Sequence, residues 1–307
     1  MITHYFRTLK DKELKVCDEP RKGTWTHVVA PSEEEFETLV EQFDLDEAIA
    51  ADASDFFEVP RFEQEEGVLY FFTRYPFDER DEDIDTAPLL IVVGGSFVLT
   101  IAQRDVPFLS AFIDGKKPIA TTQKTKLFIQ FMGALTTAFE AELTHMRRSV
   151  YRDRSRVRDI KGRDIQRLVS YEHQLNDAIA AMTPTNASLQ HLTTGNHIEM
   201  FSDDLELTED LMIANNQLME SARAVLKTIQ NVRGASEAML TQRLNNTIQM
   251  LTALTVVLTI PTIIASLYGM NVPLPLGERP YAFWLVLGVI AAVMALVVRY
   301  FSKRHWF

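Results

Sequence analysis

The chain reads as an α/β cytosolic domain, a long stalk helix and two C-terminal transmembrane helices. Three features of its 307 residues carry that reading. Short alternating strand and helix patterns fill residues 1 to about 115, and a nearly unbroken helical pattern follows from Thr122. The C-terminal part then holds two long runs without a charged side chain. The divisions that follow are 1–120 for the α/β domain, 121–197 for a helical hairpin region and 198–267 for the stalk helix. The stretch from about 246 to 267 is the first span, 268–280 an outer loop, 281–301 the second span and 302–307 a basic tail.

In the α/β domain, apolar and β-branched alternation marks strands at 4–9, 25–29, 68–74, 89–93 and 97–102. Gly94-Gly95-Ser96 is a hairpin turn between the last two. Ser32 can cap a helix running to about Phe43, and Glu35 completes a capping box with it. A shorter helix is expected over 45–51. Acidic side chains dominate this region: 20 Asp or Glu against three Arg between Glu33 and Asp85, within a net charge of -11. Such a surface repels nucleic acid and anionic lipid and attracts cations. The run Asp78-Glu79-Arg80-Asp81-Glu82-Asp83 is a solvated loop or a cation-concentrating rim.

Residues 122–151 form one long amphipathic stretch, and a basic segment follows with Arg147, Arg148, Arg152, Arg154, Arg156, Arg158, Lys161, Arg163 and Arg167. That segment reads as a solvated hairpin paired with acidic neighbours, or as an anion-binding patch. Pro184 and Gly195 punctuate the way into the next element. From about Ile198 to Ser266 the only proline is Pro261. Leu218, Ala222, Val225, Ile229 and Val232 repeat at steps of four and three. They form a coiled-coil-like seam, or a face packed on the chain's own helices. A helix of this length spans roughly 100 Å.

Residues 244–277 and 280–298 carry no charge, and each run can supply the roughly 20 apolar residues that cross a bilayer. The link 271–280 holds three prolines and a glycine, so it is a tight turn. Arg233 and Arg243 precede the first span, while Arg299, Lys303 and Arg304 follow the second. By the positive-inside rule both termini face the cytosol. The first span carries Asn245, Gln249, Thr252, Thr255, Thr259, Thr262 and Ser266 on one helical face. This stripe either hydrogen-bonds to other helices or lines a water-filled path. Two spans cannot enclose a pore, so the path requires a ring of identical subunits.

The single Cys17 excludes an internal disulfide framework and fits a reducing cytosol. The first residues contain no apolar segment of the signal-peptide kind. There is no Gly-rich phosphate loop, no Rossmann glycine triplet and no Cys/His cluster, so an enzyme is not expected. The seven histidines are dispersed and read as structural or surface residues.

Tyr268-Gly269-Met270-Asn271 closes the first span, Asn245 and Thr262 precede it within the stripe, and the chain ends in Lys303-Arg304-His305-Trp306-Phe307. In these residues the chain resembles the CorA family of divalent-cation channels. The resemblance implies a homopentameric funnel in the inner (cytoplasmic) membrane that carries Mg2+ inward passively, with Co2+ and Ni2+ as further passengers. Its partners would be further copies of itself, the lipid bilayer and divalent cations, not nucleic acid. Asn271 would form a carboxamide ring at the outer mouth, with Gly269 letting backbones approach and Tyr268 bracing the turn. Thr262, Thr259 and Thr255 would offer hydroxyls deeper in, and Asn245 a ring at the cytosolic end. Ile248 and Leu251 would form an apolar gate that closes by dewetting.

The resemblance also implies regulatory Mg2+ held between neighbouring cytosolic domains. Asp52, eight residues before Pro60, and Asp210, 35 residues before Asn245, match by context and offset, with Asp55, Asp203 and Asp204 as competitors. Two departures stand out. The outer loop lacks Met-Pro-Glu-Leu, leaving Glu278 as its only acid, and Pro261 directly precedes Thr262. Met270 stands where the zinc-transporting branch carries isoleucine. A transition-metal transporter on the same scaffold is the first alternative, and a non-conducting membrane-anchored sensor or scaffold is the second.

Overall fold

The computed structural model describes residues 1–77, 86–154, 160–195, 197–270, 279, 281–304 and 306. The chain divides into two compact units, Met1–Val232 and Arg233–Phe307.

The first unit is built on a seven-stranded sheet of order β2-β1-β3-β7-β6-β5-β4. The strands are β1 (Ile2–Phe6), β2 (Lys15–Cys17), β3 (Thr24–Val29), β4 (Arg61–Glu65), β5 (Val68–Pro76), β6 (Thr86–Val93) and β7 (Phe97–Ala102). Among the described pairs only β3 and β7 run parallel. Side chains alternate between the two faces of a strand. Tyr70 and Phe72 of β5 therefore join one buried cluster with Leu39 and Phe43, while Leu69, Phe71 and Tyr75 join another with Phe128 and Leu175.

The helix α1 (Glu33–Phe43) lies on the first face and begins as expected. Ser32 accepts from the Glu35 N–H, and the Glu35 carboxylate accepts from the Ser32 N–H. The following short helix α2 (Glu47–Ala51) starts later than the expected residue 45, because Asp46 is its N-cap and accepts from the Ile49 N–H. A single turn, α3 (Ser110–Ile113), precedes the long helices α4 (Lys124–Arg154) and α5 (Gly162–Thr194) on the other face.

Several local expectations change. β1 covers 2–6 rather than 4–9, because Thr8 turns the chain by donating through both its N–H and its hydroxyl to Asp11. Strands β2 and β4 carry no apolar alternation that would mark them in the sequence. Both are edge strands, and β4 (Arg-Phe-Glu-Gln-Glu) acquires its conformation from pairing with β5 rather than from an apolar alternation. Pro184 lies inside α5 and does not end it. The hydroxyls on either side, Thr183 and Thr185, donate to the carbonyls of Ile179 and Ala181, while the proline removes the N–H that would have met the Ala180 carbonyl.

Helix α6 runs from Ser202 to Tyr268, and α7 from Ala282 to Lys303. Leu218, Ala222, Val225, Ile229 and Val232 of α6 are all buried in the cluster that holds the core residues of α4 and α5. The seam is thus consumed by the chain's own core, and a coiled coil between chains is not needed to cover it.

The second unit contains the end of α6 and α7. Both helices are long and apolar enough to cross a membrane. Among the described residues of this unit, the buried ones are Ser236, Ala253 and Val257 in α6 and Ala282 in α7.

Candidate functional site

The polar stripe of α6 survives as an exposed face. Asn245, Thr252, Thr255, Thr259 and Thr262 are all exposed, as are Ile248 and Leu251. At roughly 100° per residue, Thr255, Thr259 and Thr262 stand about 180° from the shielded pair Ala253 and Val257. Ile248 and Leu251 fall in the same sector as the threonines. The stripe is therefore separate from the face that the protomer itself covers.

The threonine hydroxyls have a defined polarity. Thr255 donates to the Leu251 carbonyl at 2.8 Å, Thr259 to Thr255 at 2.8 Å and Thr262 to Leu258 at 3.0 Å. Thr247 does the same to Arg243 at 2.9 Å. A hydroxyl has one hydrogen to give. With that hydrogen spent on the helix, each oxygen faces outward as an acceptor. Water bound to a cation points its hydrogens away from the ion, so a column of acceptors complements a hydrated cation.

At the end of α6, Gly269 donates to the Ala265 carbonyl at 2.9 Å and Met270 to Leu267 at 3.4 Å. A Cβ built on Gly269 would meet only the Ala265 and Ser266 carbonyls, at 3.4 and 3.5 Å, an ordinary contact. The protomer alone does not demand glycine here. Tyr268, the last residue of α6, is partly exposed at 40%. Asn271 lies outside the described residues, as do 272–278, Pro280, the acidic run 78–85, Arg156, Arg158, His305 and Phe307.

Asp52 follows α2, and its carboxylate lies 2.6 Å from the Arg61 guanidinium at the start of β4. Arg61 also contacts Glu63 at 2.6 Å and Glu58, so three carboxylates surround one cation. The guanidinium packs over the Phe72 ring, 4.3 Å from its centroid. Burial acts to lower the Arg61 pKa, but the hydrogen bonds to Glu63 and Asp52 outweigh it and leave it raised. Asp210 is exposed on α6. No hydrogen bond or ion pair joins Asp52 to Asp210 among the described residues, nor do three or more His, Cys, Asp or Glu gather there as a metal cluster. Two competitors are already engaged by backbone: Asp204 accepts from the Phe201 N–H and Asp55 from Phe57. In the basic segment, Arg167 bridges Asp153 at 2.8 Å and Asp164 at 3.0 Å, as a solvated hairpin with acidic partners would.

Sequence reasoning gave Arg61 no role. Its spacing from Asp52, Glu58 and Glu63 was visible, but only the turn before β4 folds all three carboxylates onto it.

Comparison with known proteins bears on this arrangement. A family model described as CorA-like Mg2+ transporter protein matches residues 21–304. The cobalt/magnesium transport protein CorA of Methanocaldococcus jannaschii is 22% identical over 299 residues, covering 92% of this chain and 90% of that protein. The magnesium transport protein CorA of Campylobacter jejuni is 32% identical over 92 residues, 30% of this chain and 28% of that one. The solved complete structure of the M. jannaschii CorA magnesium transporter superposes with a TM-score of 0.87 at 19% identity, covering 100% of this chain and 99% of that chain. The full-length CmaX structure gives 0.76 at 17% identity, with 97% and 96% covered. These structural likenesses establish a shared fold: a soluble α/β domain, a long helix and two C-terminal apolar helices.

Proposed function

Since this chain belongs to the CorA-like Mg2+ transporter family, we propose that it is a channel for passive Mg2+ influx across the cytoplasmic membrane, with both termini cytosolic. The observation that carries this reading is the exposed column of Thr255, Thr259 and Thr262, whose hydroxyl hydrogens are spent on backbone carbonyls. Copies of α6 in a homopentamer turn these oxygens toward a common axis, with Asn245 at the inner end and the Asn271 carboxamides at the outer mouth. Mg2+ surrenders its water reluctantly. Neutral acceptors hold the hydrated ion without stripping it, whereas a carboxylate cage would trap it. A membrane potential of 100 mV supplies about 4.6 kcal/mol for a divalent ion.

Ile248 and Leu251 sit one to two turns inside the threonine column and form the dewetting gate. Regulatory Mg2+ bridges Asp52 of one subunit to Asp210 of the next, so a low internal concentration loosens the ring and opens the gate. Co2+ is a second cargo, a reading favoured by the cobalt/magnesium name of the M. jannaschii relative. The test is flux into vesicles containing the purified chain, with Mg2+, Co2+, Ni2+ and Zn2+ compared through a cation-sensitive dye. Influx led by Mg2+ is expected. Absence of flux for every ion would favour a non-conducting anchor, and preference for Zn2+ would move the chain to the transition-metal branch.

A further inference from the structure

The first unit holds a cavity of about 730 Å3 that no part of the transport reading uses. Its wall draws Phe77 and Phe108 from beside the sheet, Met146 from α4, Leu175 and Met182 from α5, and Leu218 from α6. The space exists because alanines stand where larger side chains would close it, Ala134 and Ala138 in α4 and Ala178 in α5. The space is partly open to solvent rather than enclosed, and apolar surface left open to water favours an apolar occupant. The volume lies within the range of about 300–1,000 Å3 in which small-molecule sites fall.

Two charged side chains complete the wall, Lys117 and Glu142. Neither forms an ion pair, with the other or with any other described residue; the Lys117 ammonium lies 5.8 Å above the Phe112 ring. Beside Glu142, one turn on along α4, His145 meets the edge of Tyr171 at 6.4 Å. A long-chain carboxylate would answer Lys117 but crowd Glu142. A cationic amphiphile would do the reverse, and a neutral one would leave both unanswered.

We propose that this cavity binds one lysophospholipid with a zwitterionic head, its alkyl chain along the apolar wall, its phosphate at Lys117 and its ammonium at Glu142. The occupant touches α4, α5 and α6 together, so it bears on how the long helix is held by its own domain.

The test uses the full chain in detergent, with lysophosphatidylethanolamine, dodecanoate and dodecanol as probes and native mass spectrometry as readout. One lysophosphatidylethanolamine per chain is expected, retained at least tenfold more tightly than either other probe. Ala178→Phe fills the cavity and should abolish retention; Ala138→Leu is the gentler variant should the first fail to fold. Lys117→Glu and Glu142→Lys should each weaken retention about tenfold while leaving the melting temperature unchanged. Equal retention of all three probes, retention undiminished in correctly folded Ala138→Leu and Ala178→Phe chains, or no retention at all would overturn the assignment. Retention that arises only after residues 78–85 are deleted would give the cavity to that segment and overturn it equally.

Discussion

At the scale of single residues, what matters is where each hydrogen goes. Thr255, Thr259 and Thr262 donate inward to their own helix, which leaves oxygen lone pairs as the outward chemistry. Replacing Thr259 by valine keeps the shape and deletes the acceptor. Mg2+ influx into vesicles should fall several-fold with assembly intact, and Asn271→Ala should abolish it. Unimpaired flux in both variants would remove the basis for the pore assignment. Arg61 offers a stability counterpart. Removing it as Arg61→Met strands Asp52, Glu58 and Glu63 together, with Glu58 only 15% exposed. The cost should be about 2 kcal/mol in urea melts.

His27 supplies the pH dependence. It is buried, bonded to the Thr100 hydroxyl at 2.9 Å, and burial lowers its pKa to about 4 from 6.5. The folded state therefore refuses a proton that the unfolded chain accepts. This contribution to stability is complete above pH 6.5 and is lost as the pH falls toward 4. By pH 5 the loss should reach about 2 kcal/mol, and His27→Gln should flatten that part of the urea-melt profile.

At the scale of elements, helix α6 contradicts its local composition in two places and continues through both. Gly234 lies in its interior, and a Cβ built there meets nothing within 4 Å. Gly234→Ala should thus stabilise the chain by about 1 kcal/mol, read as a higher melting temperature in detergent. Pro261 lies inside the same helix, one residue from the Thr262 hydroxyl that donates back to Leu258. In α5, Pro184 is flanked by the same device at Thr183 and Thr185. Pro184, which the sequence marks as punctuation, and Pro261, which it places inside the long helix, both stand beside a hydroxyl that bonds back to its own helix. The buried asparagine of this helix system, Asn215, accepts from Thr136 of α4 at 2.7 Å and donates to Asn186 of α5 at 3.4 Å. Such a buried polar contact fixes the register of packed helices.

At the scale of the whole molecule, the stripe and Asp210 are exposed in the single chain, and the proposed channel covers both with further copies of it. Native mass spectrometry of the detergent-purified chain should return a pentamer. Mg2+ should protect α6 from limited proteolysis, and the double substitution Asp52→Lys with Asp210→Lys should erase that protection while leaving the pentamer. Protection unchanged in the double variant would dismiss the regulatory pair without touching the pore.

The two charge-free runs, the polar stripe, the Ser32–Glu35 cap and the family signature from Tyr268 onward are legible along the chain, because hydropathy, helical period and capping are local properties. The tertiary structure alone decided the rest. It assigned the Leu218–Val232 seam to the chain's own core, made strands of the polar edges β2 and β4, and closed Arg61 upon three carboxylates. Each of these depends on a neighbour distant in sequence or on a turn that local composition does not announce. No periodicity along the chain records which face such a neighbour will cover.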